Sequence, residues 1–315
     1  YAFRRYSSGR INLSDYLDLL KRGVEATDKG IALDPENGDL YIQRAFLFGQ
    51  MANGYPYRAD RDYLFQLAIE NISAANSLRT ERLKFPERYM VSYYSFHHEC
   101  DRALTEVQYL ASINTTEDIN SPDIDSLFEL AYACSGDYEK ALEIYNNNLK
   151  ESGEIDSCAC SGKYLYPLGR IDELFEKLNQ SIEEKPNYYG ARYFFRAVIE
   201  FDRGDYDAAL QDVYKAEGNS WSFGTLASYI EGLNDARLGN KEKAIEELQY
   251  AEATMFYEFY FAIERAREEL KKLNAAPLEI TPSVNISATP LPVFPTPDLK
   301  KYPTPTLPPS QRQPQ

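Results

Sequence analysis

The residues best suited to chemistry stand together in the segment FHHECDRAL. There the two histidines of the chain, His97 and His98, are followed at once by Glu99, Cys100 and Asp101. Imidazole, carboxylate and thiol groups serve as metal ligands and as general acids or bases. However, adjacent helical residues diverge by about 100°, and the order HHECD lacks the HExxH spacing that puts two ligands on one face. We therefore interpret this segment as a solvated turn.

The rest of the sequence offers no catalytic constellation. It contains no nucleophile elbow and no phosphate-binding glycine loop, and two adjacent histidines leave little material for a Ser/His/Asp arrangement. We expect a protein that is not an enzyme and needs no cofactor, with carboxylate-only chemistry as the alternative.

The net charge and the hydropathy of the chain limit the classes of partner that we expect it to bind. The chain has 315 residues, of which 26% are charged and 43% hydrophobic, as in an ordinary folded domain. Its net charge is −15, and residues 1–276 alone carry about −16. Such an acidic body repels phosphate backbones, so we expect no nucleic-acid partner. No stretch reaches the roughly 18 apolar residues of a membrane span.

A repeated phrase organises the chain. SGDYEKALEIY, RGDYDAALQDV and LGNKEKAIEEL begin at residues 135, 203 and 238, and PLGRIDELFEKL is related to them. Their glycines, Gly136, Gly169, Gly204 and Gly239, are spaced by 33, 35 and 35 residues. An apolar three-four pattern precedes and follows each glycine, which indicates a helix-turn-helix unit.

The hinge residues themselves support this interpretation. A glycine just beyond a helix end typically adopts a positive φ. The residue that follows it, Asp137, Asp205 or Asn240, is then placed to cap the next helix.

This pattern resembles the tetratricopeptide repeat, a helical hairpin of about 34 residues. Small residues occupy positions where the family's paired helices approach closely: Ala141, Gly162, Ala197, Ala209, Ala216, Gly232, Ala244 and Ala251. The fourth unit departs from the family pattern because Leu174 replaces the alanine and Pro167 falls in the last turn of its first helix, so we expect it to be distorted.

The resemblance implies an all-α fold, a right-handed α-solenoid of helix-turn-helix repeats with a disordered Pro/Thr-rich C-terminal tail. We divide the chain into an N-terminal helix (1–37), six hairpins (38–251), a capping helix (252–276) and the tail (277–315). The second hairpin carries an insertion near 53–62. The tail holds 11 prolines and no glycine, which favours an extended linker, although its PTPTLPP segment could also attract a polyproline-binding domain.

The four cysteines, Cys100, Cys134, Cys158 and Cys160, form no CxxC pair, so we predict no metal site. Cys158 and Cys160 are two apart on a predicted helix and point to different faces, which prevents a bridge between them. We expect ordinary buried thiols. A Cys100–Cys134 bridge is the alternative, since both lie near the helix turns of successive repeats.

The resemblance also implies a binding surface, because the first helices of such hairpins line the concave face. The matching residues here are Ile42, Phe46, Arg88, Lys163, Phe194, Val198, Phe201, Tyr229 and Leu233. Most are apolar, which predicts an apolar groove for a protein or peptide. The alternative is that these side chains simply pack between neighbouring helices.

We therefore expect a non-catalytic scaffold that binds a protein or peptide of unknown identity, without a small-molecule cofactor. The alternative is a self-associating structural component of a cell envelope or surface assembly. The Pro/Thr tail and 26 tyrosines favour an extracytoplasmic location, secreted or tethered to a membrane through sequence outside this chain. A cytoplasmic location is the alternative. The chain begins at Tyr1, from which we expect a processed or excised form.

Overall fold

The computed structural model describes residues 12–78, 84–96, 98–113, 124–152, 161–186, 190–217, 224–255 and 259–284. These residues form fourteen helices and no strand, which confirms the all-α class for the described part of the chain. The helices are α1 (Leu13–Leu33), α2 (Gly38–Ala52), α3 (Arg58–Ser77), α4 (Lys84–Phe96), α5 (Cys100–Ile113), α6 (Ile124–Cys134), α7 (Tyr138–Ser152), α8 (Gly162–Leu165), α9 (Ile171–Glu184), α10 (Ala191–Asp202), α11 (Tyr206–Glu217), α12 (Gly224–Leu238), α13 (Lys241–Thr254) and α14 (Tyr260–Lys272).

The glycines between helices adopt the predicted backbone conformation. Their φ angles lie between 71° and 85° at all four hinges. At the α10–α11 turn, the N–H of Gly204 donates to the Phe201 carbonyl at 3.0 Å, and that of Asp205 to the Glu200 carbonyl at 2.9 Å. This pair of bonds is the Schellman arrangement, which satisfies the last carbonyls of a helix while the chain reverses.

Two of the three predicted helix caps are present. Asp137 accepts from the N–H of Lys140 at 3.4 Å, and Asp205 accepts from that of Ala208 at 3.3 Å. The prediction for Asn240 is wrong. Its side chain makes no cap and instead donates to Asp235 Oδ1 at 2.8 Å, tying the turn back to the preceding helix.

Small residues lie where helices meet, as their positions predict. Ala209 and Ala244 are fully buried. A Cβ atom added to Gly232 of α12 would lie 2.8 Å from Leu248 Cγ of α13, closer than real Cβ contacts allow. Any larger residue would push these two helices apart.

The chain divides into two compact units. The first contains α1, α4, α5 and α6, with α2 up to Met51 and α3 from Leu64. The second contains residues Ala52–Tyr63 together with α7 to α14.

In the first unit, a buried arginine ties three helices together. Arg44 of α2 is 1% exposed, and its guanidinium lies 2.5 Å from Asp28 Oδ1 of α1 and 2.7 Å from Asn71 Oδ1 of α3. A buried charge must be paired and hydrogen-bonded, so this geometry specifies how the three helices meet.

In the second unit, the segment that sequence analysis treated as an insertion is an integral part. The buried Arg61 donates to the carbonyls of Tyr55, Pro56, Thr254 and Met255, the last two at 2.9 Å. Glu252, also buried, pairs with Arg58 and with Arg267, the latter at 2.8 Å. Residues 52–63 are therefore held on the C-terminal end of α13 by buried charges.

The predicted tail does not start free at Pro277. Residues 277–284 have no regular secondary structure, and Val284 is buried. Ser283 donates its backbone N–H to Asp60 Oδ1 at 2.5 Å, and its hydroxyl contacts both carboxylate oxygens. The boundary drawn at residue 277 is thus corrected, because the buried Asp60 needs these donors. Residues 285–315 lie outside the described residues.

The segment predicted to form a distorted fourth hairpin contains a short helix followed by turns. Its first helix, α8, is only four residues long, and the chain continues through turns to Gly169. Helix α1 lies within the predicted N-terminal segment, and α14 lies within the predicted capping segment.

A truncation pair tests the correction to the tail. A chain that ends at Ala276 should lose about 1–3 kcal/mol of unfolding free energy, because it loses the Ser283 hydrogen bonds to the Asp60 carboxylate. A chain that ends at Val284 keeps those donors and should match the full chain, since the sequence beyond predicts a spacer without a packed core. Chemical denaturation measures both. Equal stability of the two truncations would contradict the Asp60–Ser283 contact.

Candidate functional site

Four of the predicted groove residues of the second unit are buried, which corrects the expectation of an open apolar stripe there. Phe194, Val198 and Tyr229 have no exposed surface, and Leu233 is 4% exposed. The alternative interpretation, packing between helices, holds for these four residues. They cannot contact a partner without rearrangement of the core.

The side chains that cover this stripe come from the start of α14. The ring centroid of Phe194 lies 5.1 Å from that of Phe259 and 6.2 Å from that of Tyr229. Phe261 completes the cluster at 6.1 Å from Phe195. This intramolecular aromatic cluster occupies the surface that the sequence assigned to a partner.

Phe201 and Lys163 lie at the half-exposed edge of this region. The Lys163 ammonium lies 4.9 Å from the centre of the Tyr164 ring, and the Phe201 ring contacts that of Tyr206 edge-on at 5.0 Å. The Arg265 guanidinium lies 5.6 Å from the Phe201 ring. Both predicted residues are therefore engaged by neighbours within the unit.

A polar network stands beside Phe201. Asp202 accepts from the Tyr166 hydroxyl at 2.6 Å and from Arg265 Nη1 at 2.6 Å. Burial, reinforced by the Asp202 carboxylate, raises the pKa of Tyr166 above its ordinary value. The Tyr166 phenol, protonated at neutral pH as an ordinary tyrosine also is, acts here as a hydrogen-bond donor.

The predicted residues of the first unit are more accessible. Phe46 is 40% exposed, and Ile42 lies one turn earlier on α2, half-buried. The Phe46 ring meets that of Tyr89 of α4 edge-on, with centroids 5.7 Å apart. Ile42, Phe46 and Tyr89 are called the Phe46 surface from here on. The side chain of Arg88 lies outside the described residues.

The Phe46 surface rests on buried rings. Tyr89 stacks on Tyr93 at 6.1 Å, and Tyr93 stacks on Phe65 of α3 at 5.0 Å. A Cβ at Gly49 would lie 1.8 Å from the Tyr93 hydroxyl oxygen, so only glycine leaves room for this ring. The exposed ring of Phe46 is thereby held on a rigid support.

Sequence reasoning missed Tyr89, although it selected the preceding residue, Arg88. The hairpin that begins near Lys84 matches the repeat pattern weakly, so family positions are a poor guide to the residues that its first helix exposes. The signal available in the sequence was the run of tyrosines in RYMVSYY, whose members at positions 89 and 93 share one helix face.

A partly buried charge cluster lies on α10 and α11. Arg196 makes paired bonds with both carboxylate oxygens of Asp212 and donates to Asn179 Oδ1 at 2.9 Å. Glu200 lies 3.6 Å from Arg196, and its Oε2 has no hydrogen-bond partner among the described residues. Burial, followed by repulsion from Asp212, raises the pKa of Glu200 to about 7, against the opposing effect of Arg196.

The cysteines of the first unit are bridged, which corrects the expectation of thiols at these positions. Cys100 and Cys134 form a disulfide with Cα atoms 5.3 Å apart and a sequence separation of 34 residues, one repeat length. The bridge joins the first residue of α5 to the last residue of α6. Cys158 and Cys160 lie outside the described residues, as does His97.

His98 lies beside this bridge. Its Nδ1 atom is 3.3 Å from Cys100 Sγ and 3.8 Å from Cys134 Sγ. Within the described residues these three side chains are the one group whose donor atoms come close enough to hold a metal ion, and two of them are joined in the disulfide.

Comparison with known proteins does not assign the chain to a family. The chain matches no protein-family model, and no curated protein is significantly similar to it. Among the helices formed by the described residues, none combines the length and apolar character needed to cross a membrane.

Aromatic truncations distinguish core from surface. Phe194→Ala and Tyr229→Ala should each cost about 3–5 kcal/mol of unfolding free energy, because each leaves a cavity in the closed cluster. Phe46→Ala, which removes a partly exposed ring, should cost clearly less. Denaturant midpoints measure the difference. If Phe194→Ala is as mild as Phe46→Ala, the ring of Phe194 is not core.

The raised pKa of Glu200 predicts a pH dependence with a definite sign. The native state retains this proton up to about pH 7, whereas the unfolded chain releases it near the ordinary value of 4.5. The native state therefore binds more protons in this window, and the contribution of Glu200 to stability falls as the pH rises.

Glu200→Gln removes this titration. The free energy of unfolding of the variant, relative to that of the wild type, should increase between about pH 5 and about pH 8. Denaturation of both proteins at the two pH values measures this difference. A constant difference would show that the burial of Glu200 does not shift its pKa.

Proposed function

We propose that this chain is a non-catalytic, protein- or peptide-binding scaffold of the tetratricopeptide-like solenoid type, and that it binds through the Phe46 surface. The observation that carries the proposal is the exposed Phe46 ring, supported edge-on by Tyr89 at a predicted first-helix position. A rigid, partly exposed aromatic side chain is the usual anchor of a protein interface.

The packing of the two units supports this choice of surface. In the second unit, the equivalent stripe is covered by Phe259 and Phe261, so its apolar area is already used. In the first unit, Ile42 and Phe46 retain exposed area on one helix face. A peptide with an apolar side chain would bury that area.

The net charge of the chain indicates which peptides it attracts. Residues 1–276 carry about −16, so the long-range field attracts basic partners and repels acidic ones. We therefore propose a partner with an apolar anchor and flanking basic residues.

The disulfide supports the proposed extracytoplasmic location. Bridges such as Cys100–Cys134 form and persist in oxidising compartments and are rare in the cytosol. Alkylation of the natively expressed protein without reduction should therefore leave both of these cysteines unlabelled.

Selection from a displayed peptide library tests the binding function. Peptides selected on the wild-type chain should bind Phe46→Ala at least about tenfold more weakly, since truncation of an aromatic anchor costs 2 kcal/mol or more. Tyr250→Ala is the matched control, because Tyr250 is 41% exposed and lies on α13 of the other unit. Titration calorimetry gives the affinities.

The possible outcomes distinguish a peptide-binding scaffold from a self-associating structural component. If selection yields no specific peptide and sedimentation shows assembly that increases with concentration, the chain is a self-associating structural component. If peptides bind both variants equally well, the Phe46 surface is not the site.

A further inference from the structure

The residue that closes the α4–α5 turn differs in type from the hinge glycines. His98 has a φ of 62°, in the left-handed region that the four hinge glycines adopt. Its N–H donates to the Ser95 carbonyl at 3.1 Å, and that of Glu99 to the Tyr94 carbonyl at 2.8 Å, which is again the Schellman arrangement. A histidine here carries steric strain that glycine avoids, and such strain concentrates at functional sites.

The position of the ring suggests what the histidine supplies. The side chain of His98 is exposed, yet its Nδ1 lies 3.3 Å from Cys100 Sγ and 3.8 Å from Cys134 Sγ. Both cysteines are partly exposed, so a small molecule in solvent can reach the bridge. A disulfide that serves only to stabilise the fold needs neither a neighbouring imidazole nor exposure to small molecules in solvent.

The two sulfurs stand in opposite electrostatic settings. Cys100 is the first residue of α5, where free N–H groups and the helix dipole stabilise an anion. Cys134 is the last residue of α6, where the dipole disfavours one. Of the neighbouring carboxylates, Glu99 is paired with Arg102 at 2.5 Å, and Asp101 is exposed to solvent screening.

We propose that Cys100–Cys134 is a thiol–disulfide exchange site, in which His98 and the N-terminus of α5 stabilise the Cys100 thiolate. The ligand class is a low-molecular-weight or exposed protein thiol. The proposal is independent of peptide binding at the Phe46 surface, since it rests on different residues.

The exchange reaction takes place in two steps. A thiolate RS⁻ attacks Cys134 Sγ, forms a mixed disulfide there, and breaks the Cys100–Cys134 bond, whose electron pair leaves on Cys100 Sγ. Cys100 is the better leaving group because its anion is stabilised. A second RS⁻ attacks the R-group sulfur, which yields RSSR and releases the Cys134 thiolate to take a proton from water. Two thiols are oxidised and the bridge is reduced.

The experiment uses the full chain with Cys158→Ser and Cys160→Ser, so that the bridge is the sole source of thiols. Dithiothreitol is added under native conditions, and thiols are counted by alkylation and mass over time. His98→Asn and His98→Gly both suit a left-handed turn and both lack the imidazole. Each should slow reduction at least about fivefold, because the leaving thiolate loses its stabilising neighbour.

The melting temperature distinguishes the loss of thiolate stabilisation from a structural effect of the substitution. Both variants should melt at or above the wild-type temperature, since they relieve the left-handed histidine. Reduction rates within twofold of wild type would overturn the proposal, as would a bridge that is reduced only when the protein unfolds.

A trapping experiment tests the direction of attack. Limiting glutathione followed by acid quenching should place the mixed disulfide on Cys134 and leave Cys100 free for alkylation. In single-cysteine variants, the Cys100 thiol that remains in Cys134→Ser should react faster with dithiodipyridine than the Cys134 thiol that remains in Cys100→Ser. Equal reactivity, or glutathione found on Cys100, would contradict the assigned roles.

Discussion

The fold depends on one backbone feature, a single residue of positive φ between two helices. At Gly136, Gly169, Gly204 and Gly239 this conformation reverses the chain within a few residues. At the α10–α11 turn the two Schellman bonds also satisfy carbonyls that the helix end would otherwise leave unpaired. Where the next residue is an aspartate, its carboxylate caps the following helix. The geometry of these four turns is thus specified by residues close to them in sequence.

The same hairpin serves the two units differently. In the second unit, Phe259 and Phe261 complete an aromatic cluster with Phe194 and Tyr229, which buries both of these rings. In the first unit, the aromatic cluster ends at Phe46, which stays partly exposed. The surface suited to a partner is therefore decided by which rings find an intramolecular neighbour.

Buried charges supply the specificity that apolar packing lacks. Arg44 and Arg61 are almost completely buried, and each is surrounded by oxygen acceptors. Such groups lose hydration energy, so an alternative packing that leaves them unpaired is strongly disfavoured. This constraint explains why the apparent insertion and the segment up to Val284 occupy defined places. It also explains why Glu200, one of whose oxygens has no hydrogen-bond partner in the described part of the chain, holds its proton to higher pH than an ordinary carboxyl.

The sequence alone determined the helical class, the hinge glycines and the close contacts at Ala209, Ala244 and Gly232, because turn geometry and helix periodicity are local properties. It did not determine which apolar stripes remain exposed. Phe194 and Phe46 look alike in a helical pattern, and only the arrival of Phe259, some 65 residues further along the chain, buries the first. The Cys100–Cys134 bridge, the Asp60–Ser283 contact and the approach of His98 to the Cys134 sulfur were likewise decided by tertiary structure. Each depends on distances between residues of separate helices or segments, and periodicity does not encode those distances.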